Sequence, residues 1–241
     1  MTRNQFFSTL LGLYLTPLLG KNSREKYSAA RLLGQETLVQ YSSSIPLSKA
    51  AGKAFVKMQK AALKASITLE IVSGYRSYER QTQIWNRKYK ANHDAGLSPI
   101  ENIQKIIEYS TLPGTSRHHW GCDVDLIDGS KPKNGDVLLT EKFHEEGPYA
   151  FMRKWMDEHA AQFGFIRPYT DDPHRTGFFY EPWHYSYAPE SIPMLEDYLQ
   201  LPLETLLKTE KLEGKDYLTL DFITTYREER VLGISPLLKS N

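Results

Sequence analysis

The sequence predicts an α+β fold. Segments with apolar residues at helical spacing alternate with short runs of period-two alternation. Gly- and Pro-containing turn signals separate them. From about Pro189 the chain becomes Leu- and Glu-rich and reads as helices only.

Ser48–Ser66, SKAAGKAFVKMQKAALKAS, brings Phe55, Met58, Ala62 and Leu63 onto neighbouring turns of an amphipathic helix. Ser48 is its N-cap, because a serine hydroxyl can accept from an orphan N–H of the first turn. Next, Ile67, Leu69 and Ile71 alternate with Thr68, Glu70 and Val72, a strand that runs out at Ser73–Gly74. SYERQTQIWNRKY is a second helix, with Gln81, Ile84, Trp85 and Lys88 on adjoining turns. PIENIQKIIEYS is a further helix within polar loop material, and Pro113–Gly114 marks a turn. CDVDLID alternates again and reads as a strand ending at Asp128–Gly129. GPYAFMRKWMDEHAAQFGF is an amphipathic helix with Phe151, Trp155, His159 and Phe163 in register. FGFIRPY and WHYSY are strands, separated by the loop TDDPHRTG. MLEDYLQLPLETLLK and YLTLDFITTYREERVLGI then form helices packed beside the core.

The 241 residues allow one or two domains. We divide them into an N-terminal segment (1–30), a central functional unit (31–190) and a helical C-terminal extension (191–241). Thirty basic residues against 29 acidic ones leave a net charge of +1, which carries no footprint of a nucleic-acid binder. The single cysteine, Cys122, excludes an internal disulfide and a Cys-rich zinc finger. At the N-terminus, MTRNQ precedes an uncharged stretch from Phe6 to Gly20, and KNSREK follows. A positive n-region and an apolar h-region of this length read as a secretory signal peptide, with a helix packed on the domain as the alternative. The stretch is too short for a comfortable membrane span. Export to the periplasm or cell wall is therefore the expectation.

The chemistry concentrates in two stretches. SRHHWGCDVD, Ser116–Asp125, offers His118 and Asp125 at a spacing that suits a turn followed by a strand. Strand parity puts Asp123 and Asp125 on one face and Cys122, Val124 and Leu126 on the other, so Cys122 is a small core residue. EPWH, Glu181–His184, supplies a second histidine and a carboxylate of the kind that serves as a base. A catalytic zinc takes three protein ligands and one open position, which these groups could fill. Pro182 and the flanking aromatics favour a strand entry at His184. The competing reading is a polar turn plus an unrelated surface histidine.

Ser-x-His-x-x-Gly-x-x-x-Asp followed by Glu-x-x-His resembles the zinc D-alanyl-D-alanine carboxypeptidases of the VanY type. Their relatives include D-Ala-D-Ala dipeptidases, L,D-carboxypeptidases and phage endopeptidases. SGYRSYERQ, Ser73–Gln81, is similar to the family's Ser-Gly-Tyr-Arg-Ser element, so the resemblance spans about Ala51 to Tyr187. It implies a small central antiparallel sheet with flanking helices and zinc in a cleft. It further implies that His118, Asp125 and His184 hold Zn2+ and that Glu181 is the catalytic base. Arg76 falls on the arginine that engages substrate near the scissile bond. Ser116 falls on a serine that helps hold the substrate's terminal carboxylate, and Gln81 on a substrate-side glutamine. Tyr75 and Trp183 are candidates for the wall against which substrate lies. The implied activity is removal of a terminal D-alanine from peptidoglycan stem peptides. The alternatives are an endopeptidase cutting within the stem and a zinc-containing domain that binds wall without cutting it.

One position departs from the family pattern. Asp123 stands where alanine is usual. It could accept from a ligand histidine, pair with Arg117 or compete as a ligand. His119 reads as a structural histidine, His174 as exposed, and His93, His144 and His159 as structural or exposed.

Overall fold

The computed structural model describes residues 27–202, 204–207 and 211–240. The apolar N-terminal stretch read as a signal peptide lies outside these residues. Among the described residues no helix is long and apolar enough to cross a membrane.

Four antiparallel strands form one sheet in the order β1 (Leu69–Ser73), β2 (Asp123–Asp128), β4 (His184–Tyr187) and β3 (Phe165–Ile166). With its flanking helices this is the α+β fold that the alternating patterns predict. Helix α1 (Ala29–Leu32) is a single turn capped by Ser28 and tied in by its fully buried Leu32. Helix α2 (Lys49–Lys64) begins where Ser48 Oγ accepts from Ala51 N–H, and it buries Phe55, Met58 and Ala62. Helix α3 (Tyr78–Asp94) buries Gln81, Trp85 and Tyr89. Helix α4 (Pro99–Ile106) starts with a reciprocal capping box between Ser98 and Glu101.

Helix α5 (Ala150–His159) continues as a tighter turn over Ala160–Phe163 and faces the core differently from the expected register. Phe151 is 58% exposed, while Met152, Met156 and Ala160 are buried. Residues 152, 156 and 160 are four apart and form one stripe, and the bulk of Phe151 obscures it in the sequence. The strand around Ile166 is also shorter than FGFIRPY suggests, because Pro168 cannot donate to a ladder.

The C-terminal helices α6 (Ala188–Tyr198), α7 (Glu204–Leu207) and α8 (Leu220–Tyr226) join the same hydrophobic core as the sheet. Leu195, Tyr198, Ile223, Tyr226, Val231, Ile234 and Leu238 are each at most 5% exposed.

Candidate metal centre and active site

The centre is built on β2 and β4 at the point where their register pairs Asp125 with His184. Directly opposed residues point to the same sheet face, so a carboxylate and an imidazole meet there. His118 arrives from a tight turn, Arg117–Trp120, that ends at Gly121 in the left-handed conformation (φ 67°). A Cβ at Gly121 would lie 2.2 Å from Leu38 Cδ2, so only glycine lets the turn close into β2. The donor atoms of His118, Asp125 and His184 all lie within 4.8 Å of one another, and all three residues are buried.

Hydrogen bonds choose the ring nitrogen that each histidine presents. His118 Nδ1–H donates to Gly74 O at 2.8 Å, which leaves Nε2 facing Asp125 Oδ2 at 3.4 Å. His184 Nε2–H donates to Asp123 Oδ1 at 3.0 Å, which leaves Nδ1 facing Asp125 Oδ1 at 3.6 Å and Glu181 Oε2 at 2.8 Å. Backbone and carboxylate acceptors of this kind fix ligand tautomers in metal sites. Asp125 Oδ1 is buried and has no hydrogen-bond partner. Two imidazole nitrogens and one carboxylate, whose buried Oδ1 is left without a partner, fit a divalent cation of the zinc class.

The charges agree with that fit. Burial pushes Asp125 up to about 6, with the Glu181 and Asp123 charges adding and His184 and Arg76 opposing. Burial, Arg76 and His184 hold His118 well below the usual imidazole value. Burial alone would depress His184, but hydrogen bonds to Asp123 and Glu181 and the charge of Asp125 outweigh it and raise it to about 10. The site therefore stores a proton that an incoming cation must displace.

Asp123 does two of the three things its position allows. It accepts from His184, and it pairs with the buried Arg117, whose Nε lies 3.0 Å away. Ser186 Oγ donates to its other oxygen at 2.8 Å. Burial opposes its ionisation, yet Arg117 and the histidines hold it well below the usual carboxylate range.

Around the centre opens a cleft of about 590 Å³. Arg76, Ser116, Glu181 and Trp183 line it together with the three ligand candidates. Arg76 donates to Ser73 Oγ and Gln81 Oε1, each at 2.9 Å, so its guanidinium is fixed beside the acids. Gln81 is fully buried behind Arg76, with its amide donating to Thr111 O at 2.7 Å. Tyr75 donates to Glu36 O, and neither it nor Gln81 is among the cleft-lining residues. His119 is buried outside the centre. Its Nδ1–H donates to Arg76 O at 2.7 Å and its Nε2 accepts from Gly114 N–H at 3.0 Å. His174 is exposed.

Three contributors were not singled out as site residues by the sequence. Tyr169 is buried and stacks edge-on against the His184 ring at 5.0 Å, and its carbonyl accepts from Glu181 N–H. Arg175 donates to Thr170 O, Thr176 O, Phe178 O and Gly233 O, closing the loop before Glu181 on itself and fastening it to the C-terminal segment. Lys88 lines the cleft from α3. The signal that could have marked Lys88 is its helical spacing from Gln81 and Ile84.

Residues 44–190 match the VanY family of D-alanyl-D-alanine carboxypeptidases. The chain belongs to that family. Among VanY-family relatives, a D-alanyl-D-alanine carboxypeptidase of Enterococcus faecalis is 32% identical over 142 residues, covering 58% of this chain and 48% of the relative. The bifunctional D-Ala-D-Ala dipeptidase and carboxypeptidase VanXYC of Enterococcus gallinarum is 31% identical over 122 residues, covering 50% of this chain and 56% of the relative. The chain spans about half the length of these curated relatives. The solved structure of VanYB in complex with D-alanine-D-alanine superposes with a TM-score of 0.51 at 27% identity, over 72% of this chain and 89% of that one. A mutant of the D,D-pentapeptidase VanY in complex with Zn(II) gives 0.50 at 27% identity, over 71% and 89%. The VanY match ends at residue 190, so α7, α8 and the strap that Arg175 engages lie beyond it.

Proposed function

We propose that this VanY-family chain is a zinc-dependent carboxypeptidase that removes a terminal D-alanine from peptidoglycan stem peptides. The observation that carries the reading is the convergence of His118, Asp125 and His184 on one point, with Glu181 beside them. The D-Ala-D-Ala complex of the VanYB neighbour supports the substrate class.

A zinc ion held by these three residues would polarise the scissile carbonyl and acidify the attacking water. Glu181 accepts the proton of that water and returns it to the leaving amine. It stands three residues before His184 in one turn, where His184 N–H donates to Glu181 O, so base and ligand are positioned together. Arg76 neutralises charge developing on the carbonyl oxygen or carried by the substrate carboxylate. Ser116 offers a hydroxyl on the cleft floor and Trp183 an apolar wall. Gln81 acts through Arg76 by fixing its guanidinium. The substrate lies outside the cytoplasmic membrane, so the reading includes export, which the apolar stretch Phe6–Gly20 supports.

The test is zinc-loaded protein incubated with tetra- and pentapeptide stems, with products read by mass spectrometry. Loss of one alanine from the pentapeptide is the expected result. Internal fragments would replace the reading by endopeptidase action. Glu181→Ala should lower turnover by about 10²–10⁴-fold while zinc, measured by elemental analysis, stays stoichiometric. An active Glu181→Ala variant would remove the base assignment.

A further inference from the structure

We infer that Lys88 is a receptor for a carboxylate of the substrate, separate from the groups around the metal centre. The inference rests on the peptidase reading and adds a binding contact to it. Helix α3 places Gln81 behind Arg76 and, one and two turns further on, turns Ile84 and Lys88 into the cleft. Lys88 lies seven residues past Gln81, which at the helical rise of about 1.5 Å per residue is about 10 Å farther along the axis. It therefore meets a different part of a bound peptide from the part that Arg76 meets.

Its ammonium lacks the compensation given to the other cations of the cleft. Arg117 is paired with Asp123 at 3.0 Å. Arg76 is held by Ser73 and Gln81 beside the charges of Asp125 and Glu181. Lys88 Nζ donates to the neutral Ser110 Oγ at 2.9 Å and forms no ion pair with a described carboxylate. Asp136 and Glu181 act on it only at longer range, while Arg87 and Arg76 repel it. Burial, followed by those two arginines, lowers its affinity for a proton. A half-buried ammonium without a counter-charge costs free energy that an arriving carboxylate would recover. Ser110 fixes the amine while leaving donors free, since an ammonium carries three.

A stem peptide with lysine as its third residue presents two such carboxylates: its C-terminus and the free α-carboxylate of its γ-linked D-glutamate. Both offer the same chemistry, and amidation separates them. The experiment compares kcat/KM of the zinc-loaded full chain on three pentapeptides: the free acid, the C-terminal amide and the D-isoglutamine form. Wild type, Lys88→Met and Lys88→Arg are assayed in parallel. A charge-assisted contact contributes about 1.5–3 kcal/mol, or about 10–100-fold. The expected result is that wild type loses at least about 10-fold on one of the two amides. Lys88→Met should lose that discrimination, and Lys88→Arg should keep it. The amide whose penalty Lys88→Met removes names the carboxylate. Wild type treating all three peptides alike overturns the inference without any variant having to fold. A Lys88→Met variant that keeps every discrimination of the wild type also overturns it and leaves the peptidase reading standing. No cleavage of any peptide by wild type overturns both.

Discussion

Asp123 shows how one side chain can serve two neighbours. Its Oδ1 takes hydrogen bonds from both His184 Nε2 and Arg117 Nε, so it orients a candidate ligand and neutralises a buried cation. Asp123→Ala should weaken zinc affinity by about 10–100-fold, read by competition with a chelating dye. It should also cost about 3–5 kcal/mol in denaturant titrations, because Arg117 is left buried and unpaired. His119 gives a pH prediction. Burial lowers it from 6.5 to about 4, outweighing its bond to Arg76 O. The unfolded chain therefore binds this proton more readily than the folded one, and stability falls as pH drops from about 6.5 to about 4. The loss is about 3 kcal/mol at 1.36 kcal/mol per pKa unit. Unfolding free energies of the metal-free protein across this range, compared with His119→Gln, should show the acid limb flatten in the variant. At this scale the sequence was most legible where chemistry and spacing coincide. Strand parity in DVD places Asp123 and Asp125 on one face, and β2 does so. Lys88 was not legible as a site residue, because α3 offers both Lys88 and Lys90 and only the packed cleft picks one out.

Among the elements, β2 and β4 carry the candidate centre and the loop between Ile166 and His184 carries Glu181, the proposed base. The strands were readable from alternation and the capped start of α2 from Ser48. The loop was not, because what orders it is remote in sequence. Arg175 binds Gly233 O at 2.8 Å, Arg230 binds Gly177 O at 2.8 Å, and Ser235 N–H donates to Pro168 O at 2.8 Å. Gly177 (φ 99°) lies so close to Gly233 that a Cβ would sit 2.3 Å from its carbonyl oxygen. No local pattern encodes such contacts. Small displacements of a reacting group can cost about 10²-fold, so Arg175→Ala should lower kcat by about 10-fold or more. Zinc content should remain near one per chain, since the ligands sit on β2, β4 and the turn before β2. Steady-state kinetics together with metal analysis check this, and an unchanged kcat would detach the loop from catalysis. Helix α5 teaches the opposite lesson, because aromatic bulk suggested a face and the smaller Met152, Met156 and Ala160 took it.

Across the whole molecule, three candidate ligands from different stretches of chain meet over a core shared by the sheet and the C-terminal helices. A cation bound there belongs to the folded state alone, so it stabilises by mass action. Free zinc at about a hundred times its Kd should raise Tm by about 5–10 °C over the chelated protein in calorimetry. Equal transitions would argue against a folded-state site. The strap around Arg230 and Ser235 also has a temporal meaning. Translation delivers every ligand and Glu181 before it delivers the residues that brace their loop. The bracing of that loop therefore waits for the C-terminal residues, and the proposed centre would be complete only once they have docked.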